Sequence, residues 1–176
     1  MKKVILIMFA LLSICFVYNK NESKKNIKIP KDAIRFRVLA NSNSPRDQKI
    51  KEDVRDKLQK ELYVLLENTK NIKEARILIN DKITYFKDIL DKELDGIEYS
   101  YSIDYGMHEF PLKTYKGVTY EAGEYESLLV TLGEGKGDNW WCVLFPPLCL
   151  LEAEENVDTN KIEYKSFVKE ILEKYF

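Results

Sequence analysis

One histidine and three cysteines are the strongest candidates for nucleophilic chemistry in this chain. An imidazole beside a thiol can take the thiol proton and leave a reactive thiolate, so His108 and Cys142 form a candidate pair. Apolar residues surround Cys142 in the sequence and disfavour the thiolate, and no third residue is marked by its spacing to orient the pair. A cell-envelope hydrolase that uses Cys142 is therefore kept as an alternative function.

Paired carboxylates are a second arrangement that can support hydrolysis, because one carboxyl group can act as an acid and another as a base. Glu124 could form such a pair with Glu121 or with Glu126. Aspartate and glutamate together occupy 29 of the 176 positions, so closely spaced acids are expected on any solvated surface. The spacing singles out no catalytic pair, and a hydrolase using a carboxylate belongs to the same alternative.

The glycines at 133, 135 and 137 suggest a phosphate-binding loop, but the spacing does not fit one. Neither Ser nor Thr follows Lys136, and the order strand, loop, helix is not present. A structural zinc site needs four ligands, which one histidine and two cysteines do not fill. The formal net charge is −1, without the basic excess of nucleic-acid binders. The sequence predicts no cofactor, no metal and no nucleic-acid partner.

The segment 133–149, GEGKGDNWWCVLFPPLC, contains both tryptophans of the chain and follows neither the helical nor the strand period. Tryptophan is enriched at binding hot spots because it buries a large area with few rotatable bonds. Two interpretations stay open: an aromatic contact surface beside a flexible glycine hinge, or a pair of tryptophans that fill the core. The candidate partner-binding residues are Gly133, Gly135, Gly137, Trp140, Trp141 and Phe145.

The N-terminus predicts export. Lys2 and Lys3 precede an uncharged run at 4–17, which as a helix would span about 21 Å and matches the hydrophobic region of a secretory signal. Because no small-residue cleavage site follows, a membrane anchor is the alternative. We expect a signal peptide or anchor at 1–18, a basic spacer at 19–31 and one domain at 32–176, with membrane contact only through the N-terminal segment.

Export changes the interpretation of the cysteines. Cys15 lies in the predicted leader, which leaves Cys142 and Cys149 in the exported part. A pair of cysteines outside the cytoplasm favours a disulfide. Closing that short loop would stabilise the fold by about 2.5 kcal/mol in the chain-entropy model. Two buried thiols remain the alternative.

Hydrophobic periodicity defines the elements that position these residues. Apolar and basic residues alternate over 34–39, as in a strand. Ser44 and Pro45 are signals of a helix start, and the helical pattern continues to about Leu66. A second helix is predicted from Asn71 to about Leu90, since Asn71 and Glu74 can form a capping box.

From residue 97 the period changes to two, and strands are predicted at about 97–105, 113–119 and 125–132. The strand at 125–132 is apolar on both faces, which indicates a central position. A final helix is predicted from about Lys161. The pattern predicts an α+β fold, with helices packed on a mainly antiparallel or mixed sheet.

Four segments of the chain resemble one known family, the stage II sporulation protein R family of endospore-forming bacteria. They are ANSNSPRDQ at 40–48, YGM at 105–107, YEAGEYESLLVTLGEG at 120–135 and NWWCVLFPPLC at 139–149. Their order also matches that of the family, and together they cover most of residues 33–151.

The resemblance implies an intercellular signalling protein that is not itself an enzyme. Members of that family are made in the forespore and exported into the space between the two membranes. There they trigger a membrane-embedded aspartic protease of the mother cell, which cleaves pro-sigma-E. The expected partner is the extracytoplasmic face of that protease. We expect the segment 133–149, with Trp140 and Trp141 foremost, to be the contact or the scaffold that shapes it.

Overall fold

A computed structural model of the protein describes residues 30, 32–115 and 118–148. These residues form three helices and six strands. In chain order they are β1 (Ile34–Leu39), α1 (Pro45–Leu66), α2 (Ile72–Asp81), α3 (Ile83–Glu93), β2 (Tyr101–Phe110), β3 (Lys113–Tyr115), β4 (Val118–Tyr120), β5 (Gly123–Leu132) and β6 (Asn139–Phe145). The predicted leader, most of the predicted spacer, Cys149 and the predicted final helix lie outside the described residues.

A four-stranded mixed sheet in the order β2-β5-β1-β6 forms the centre of the fold, and β3 and β4 form a separate hairpin. β1 is parallel to β5, whereas β6 is antiparallel to β1 and β2 is antiparallel to β5. The predicted α+β class and the central position of the strand at 125–132 are both confirmed. Because β1 and β5 are parallel, the loops that follow them lie at the same end of the sheet.

The hydrophobic core lies between the sheet and the helices. Phe36 and Val38 of β1 are fully buried, as are Leu58 and Leu62 of α1. The strand alternates with a period of two and the helix with a period near 3.6, so each presents one apolar face to the other. Burial of each such side chain contributes roughly 1.5–3 kcal/mol, and this packing fixes α1 against the sheet.

Local hydrogen bonds confirm the predicted helix starts. Ser44 directly precedes Pro45, the first residue of α1, and its Oγ accepts from the backbone N–H of Asp47 at 3.1 Å. Asn71 Oδ1 accepts from the N–H of Glu74 at 3.1 Å. Each side chain satisfies an amide that has no partner inside its helix.

The predicted second helix is wrong in one respect, because it is broken into α2 and α3 at Lys82. The backbone of Lys82 leaves the helical region at φ −99 and ψ 3, and its N–H donates to Ile79 O three residues earlier. Asn80 and Asp81 precede the break, and such side chains compete with the helical hydrogen bonds. Both halves keep a buried apolar stripe, which is why the sequence pattern is continuous across the break.

The segment 139–145 is the second difference, because it forms the regular strand β6 although its sequence does not alternate. Trp140 on one face packs on Phe36, whereas Trp141 on the other face packs on Tyr120. A strand that is covered on both faces needs no polar positions, so the period of two is lost from its sequence. Over residues 30, 32–115 and 118–148, no helix has the length and apolar character to cross a membrane.

Candidate functional site

The glycine loop, residues 133–138, joins β5 to β6 and lies against the asparagine loop, residues 40–44, which follows β1. Four amides of the glycine loop donate to the asparagine loop: Lys136 N to Asn41 O (3.2 Å), Gly137 N to Ala40 O (2.9 Å), Glu134 N to Asn41 Oδ1 (3.0 Å) and Asp138 N to Asn43 Oδ1 (2.6 Å). Such a density of bonds fixes the loop in place. The hinge that the three glycines suggested is therefore a clamped loop in the folded protein.

The close approach of the two loops explains the glycines. A Cβ atom on Gly137 would collide with the backbone carbonyl of Ser42, and one on Gly133 would collide with the side chain of Asn41. Gly133 also has φ +54, a conformation that costs other residues energy. Gly133 and Gly137 thus serve the packing of one loop on the other, whereas a Cβ atom on Gly135 would meet the side chain of Thr131 in β5.

A buried carboxylate organises the asparagine loop from the first turn of α1. Asp47 is 7% exposed, and its Oδ2 accepts from Asn41 Nδ2 at 2.9 Å and from Ser42 Oγ at 2.5 Å. The hydroxyl of Tyr99 donates to Oδ1 at 3.3 Å. These hydrogen bonds, foremost that from Ser42, lower the pKa of Asp47. The carboxylate is thereby held ionised at the N-terminal end of a helix, where negative charge is favoured.

A buried lysine connects α1 to the same loops. Lys51 is 7% exposed, and its Nζ donates to Gln48 Oε1 at 2.5 Å and to the backbone carbonyl of Asp138 at 3.3 Å. Burial lowers the pKa of Lys51. A groove of about 610 Å³ opens beside the loops, and Tyr99, Glu134 and Lys136 lie on its wall. The loops therefore form a rigid platform with a polar groove.

The two tryptophans that follow the glycine loop lie on opposite faces of the sheet. Trp140 is opposite Val38 in the β1–β6 register and faces the helices, where its ring centroid lies 5.6 Å from that of Phe36. The guanidinium of Arg55 in α1 lies 5.5 Å above the Trp140 ring. Trp141 is opposite Arg37 and faces the other side. Both indoles are half-buried, so each contributes to packing and keeps some exposed surface.

On its own side of the sheet, Trp141 belongs to an aromatic cage around Arg35. The Arg35 Cζ atom lies 3.3 Å from the centroid of the Tyr125 ring, 4.8 Å from that of Phe110 and 5.0 Å from that of Trp141. Tyr120 of the hairpin closes the cage, with its centroid 4.5 Å from that of Trp141. Arg35 itself is 1% exposed. The cage therefore joins β1, β2, β5, β6 and the hairpin.

Aromatic faces surround this arginine more than acceptors do. Within the part of the chain that the structure describes, its Nε and Nη1 atoms have no hydrogen-bond partner, and neither does Nε1 of Trp141. Burial lowers the pKa of Arg35, although a guanidinium stays charged in proteins. Cation–π attraction offsets part of the desolvation cost, at about 2 kcal/mol or more for a desolvated site. Sequence reasoning missed this cluster, because arginine alternating with apolar residues is typical of a solvent-facing strand side.

Phe145 and Cys142 are placed differently from the tryptophans. Phe145 is 1% exposed and part of the hydrophobic core, so as folded it offers no surface to a partner. Cys142 lies opposite Phe36 on the helix-facing side of β6 and packs against the core. Its predicted partner in a disulfide, Cys149, lies outside the described residues, so the bridge stays a prediction.

The structure does not assemble the predicted Cys142–His108 pair. His108 is on β2 and faces Ser127, whereas Cys142 is on β6 and faces the helices; β5 and β1 lie between them. The two ring nitrogens of His108 lie 2.7 Å from Ser127 Oγ and 3.0 Å from Asp104 Oδ2. Ser127 is fully buried, so this group lacks the accessible hydroxyl of a serine hydrolase.

The acidic candidates have structural partners or face solvent. Glu126 accepts two hydrogen bonds from Arg76 of α2 at its Oε2 atom, at 2.9 and 2.7 Å, and one from the Tyr105 hydroxyl at 2.7 Å. Burial raises the pKa of Tyr105, which keeps it a donor. Glu121 and Glu124 are exposed. Within 32–115 and 118–148, no three His, Cys, Asp or Glu side chains come together as metal ligands.

Fold and site together define a small α+β domain with a rigid loop platform and a closed aromatic cage. Residues 30–155 match the model of the family described as stage II sporulation protein R. The chain is 40% identical over 186 aligned positions to stage II sporulation protein R of Bacillus subtilis (strain 168), with 99% of this chain and 83% of that relative covered. The chain therefore belongs to the stage II sporulation protein R family. No solved structure matches it.

Proposed function

We propose that this sporulation protein is an exported signal. It is made in the forespore, reaches the space between the two membranes and activates the membrane-embedded aspartic protease of the mother cell that processes pro-sigma-E. Family membership and the basic, then apolar, N-terminal sequence support the proposal. The protein acts by binding and not as an enzyme. Whether it is released or stays anchored depends on cleavage after the leader.

The observation that carries this proposal is that three segments resembling the family meet at one end of the sheet, where β1 and β5 finish. The segment 40–48 contains the asparagine loop, 120–135 leads into the glycine loop, and 139–149 begins with β6. Hydrogen bonds between the two loops hold these segments together. A rigid surface binds with a smaller loss of conformational entropy than a mobile one, which suits a protein whose task is recognition.

Activation requires that the signal bind the active form of the protease more tightly than the inactive form. A ligand shifts a conformational equilibrium only by its differential affinity for the two states. The surface offered for this is the tip of the glycine loop, the adjoining groove and the exposed edges of the two indoles. Lys136 and Glu134 stand at that tip, with side chains 75% and 68% exposed.

Reconstitution tests the proposal directly. The purified exported domain, the protease in membranes and pro-sigma-E are combined, and cleavage of the substrate is followed over time. Cleavage that depends on the added domain is the expected result. Cleavage that is equally fast without the domain would refute the proposed function.

A charge reversal then locates the contact. Lys136→Glu alters the exposed tip of the glycine loop without touching the core, and we expect about tenfold less activation. Lys49→Glu is the matched control, since Lys49 is a similarly exposed lysine, 68% accessible, that also pairs with a neighbouring acid at 2.7 Å. Equal loss in both variants would mean that overall charge matters and not this loop.

We also propose the disulfide between Cys142 and Cys149. Cys142→Ser and Cys149→Ser are expected to lower stability alike, by about 2.5 kcal/mol, and to reduce activation alike. Thermal unfolding with and without reductant measures the first effect, and the reconstituted assay measures the second. If Cys142→Ser alone abolished function in a folded protein, the hydrolase alternative would be favoured instead.

A further inference from the structure

β2 is a long edge strand whose outer side has no neighbour among the described strands. Its ten residues pair with β5 in an unbroken antiparallel register. The N–H of Gly133 donates to Ser100 O at 2.7 Å, in continuation of that register. Since narrow and wide pairs alternate along such a ladder, the main-chain groups of the even-numbered residues 102–110 face β5. Those of Tyr101, Ile103, Tyr105 and Met107 face outward, whereas the carbonyl of Glu109 is already occupied, since it accepts from Arg37 Nη1 at 2.8 Å.

The outer edge of β2 has exposed acids, which repel strands of like charge, but it lacks the other features that usually prevent pairing. Natural edge strands are protected by lysine, proline, a bulge or short length. The sequence of β2, YSIDYGMHEF, contains neither lysine nor proline, and its register shows no shift. An edge of this length is a template for an added strand that does not carry the same negative charge.

The side chains along this edge indicate the character of that strand. Met107, on the helix-facing side, is 60% exposed. The Asp104 side chain, on the other side, is 72% exposed, and Glu109 lies opposite Glu124 of β5. Two copies of this acidic edge would repel each other, so pairing of β2 with itself is disfavoured. An incoming strand fits if it places an apolar side chain on Met107 and basic side chains near the acids.

We propose that the β2 edge receives an extended, basic segment of the receptor protease, which adds a fifth strand to the sheet. This inference rests on the proposed function. Main-chain hydrogen bonds supply the affinity in such β-augmentation, and alternate side chains supply the specificity. The N-terminal end of β2 lies beside Gly133, so one partner can contact the β2 edge and the glycine loop together.

A proline at an outward-facing amide tests the inference. Met107→Pro removes a donor that faces away from β5 and places the ring where the added strand would lie, while the β2–β5 ladder keeps its bonds. Met107→Ala is the matched control, because it loses the side chain but keeps the amide. In the reconstituted assay we expect at least tenfold less activation by Met107→Pro but only about threefold less by Met107→Ala, which loses the apolar contact of the side chain and keeps the amide.

Each alternative has its own outcome. If wild-type domain activates and Met107→Pro activates equally well, the edge is not used and the inference is overturned. If wild-type domain does not activate, the proposed function itself fails, and the receptor assignment fails with it. A wild-type dimer in sedimentation that Met107→Pro converts to monomers would make a second copy the occupant. A thermal midpoint lowered far more by Met107→Pro than by Met107→Ala would place a segment of this chain there. Either result overturns the receptor assignment.

Discussion

Gly137→Ala tests whether the clamp between the two loops holds the platform together. A Cβ atom at this position would collide with the carbonyl group of Ser42 and lie 2.8 Å from Ala40 Cβ. The carbonyl carbon and oxygen of Ser42 are main-chain atoms, which cannot rotate away as a flexible side chain can. The glycine loop must therefore move off the asparagine loop.

The expected cost follows from what that movement breaks. The bond from Gly137 N to Ala40 O (2.9 Å) is lost, and that from Asp138 N to Asn43 Oδ1 (2.6 Å) is weakened. Each hydrogen bond contributes about 0.5–1.5 kcal/mol, and overpacking adds about 1–3 kcal/mol. We expect a loss of about 2–4 kcal/mol in the free energy of unfolding, measured by urea denaturation.

Gly106→Ala is the matched control for this experiment. The same methyl group at Gly106 would meet only Asp104 Oδ2, at an ordinary 3.6 Å. Replacing this strand glycine by alanine should change stability by less than about 1 kcal/mol, with a gain from the reduced entropy of the unfolded chain. If Gly137→Ala were as stable as Gly106→Ala, the reasoning about the loop clamp would be refuted.

Three further predictions concern polar groups that are buried or half-buried. Arg35→Lys should lower the free energy of unfolding by about 1–3 kcal/mol, since an ammonium is more strongly hydrated and cannot stack as a planar guanidinium does; an unchanged urea midpoint would contradict the cage. Asp47 has a lowered pKa in the folded state, so its stabilisation is present above the unfolded value of about 3.9 and is lost as pH falls below it. The stability difference between wild type and Asp47→Asn should accordingly shrink below about pH 4, and a constant difference would argue against an ionised Asp47. The pKa of Tyr101 is raised to about 12, chiefly by burial. In an absorbance titration, Tyr101→Phe should therefore remove a phenol that ionises near pH 12. If the variant instead lacked a phenol that ionises near pH 10, the burial of the Tyr101 hydroxyl would be contradicted.

Much of the fold could be predicted from the sequence because its signals are local. The strand at 34–39 and the start of α1 at Pro45 follow from alternation and from the Ser44 cap, which involve neighbours in the chain. The break at Lys82 was not predicted, because the apolar stripe continues through it. β6 was not predicted either, since a strand covered on both faces loses its period of two.

The sequence singled out the segment that contains the candidate site, but not the contacts that its residues make. The composition of the segment 133–149 marked it as unusual, and in the structure this segment contains the clamped loop and both tryptophans. Composition could not tell that Trp140 faces the helices while Trp141 faces the arginine cage, since that depends on register with β1. Nor could it show that Phe145 is buried in the core.

By itself, the sequence determined the family, the α+β class and most of the elements, because repeating patterns and capping residues act over a few positions. The tertiary structure decided which distant residues meet. It brought the asparagine loop onto the glycine loop because β1 and β5 are parallel, and it separated His108 from Cys142 by placing their side chains on opposite faces of the sheet. The physical reason is that strand order, register and facing are set by long-range pairing, which leaves no local mark in the chain.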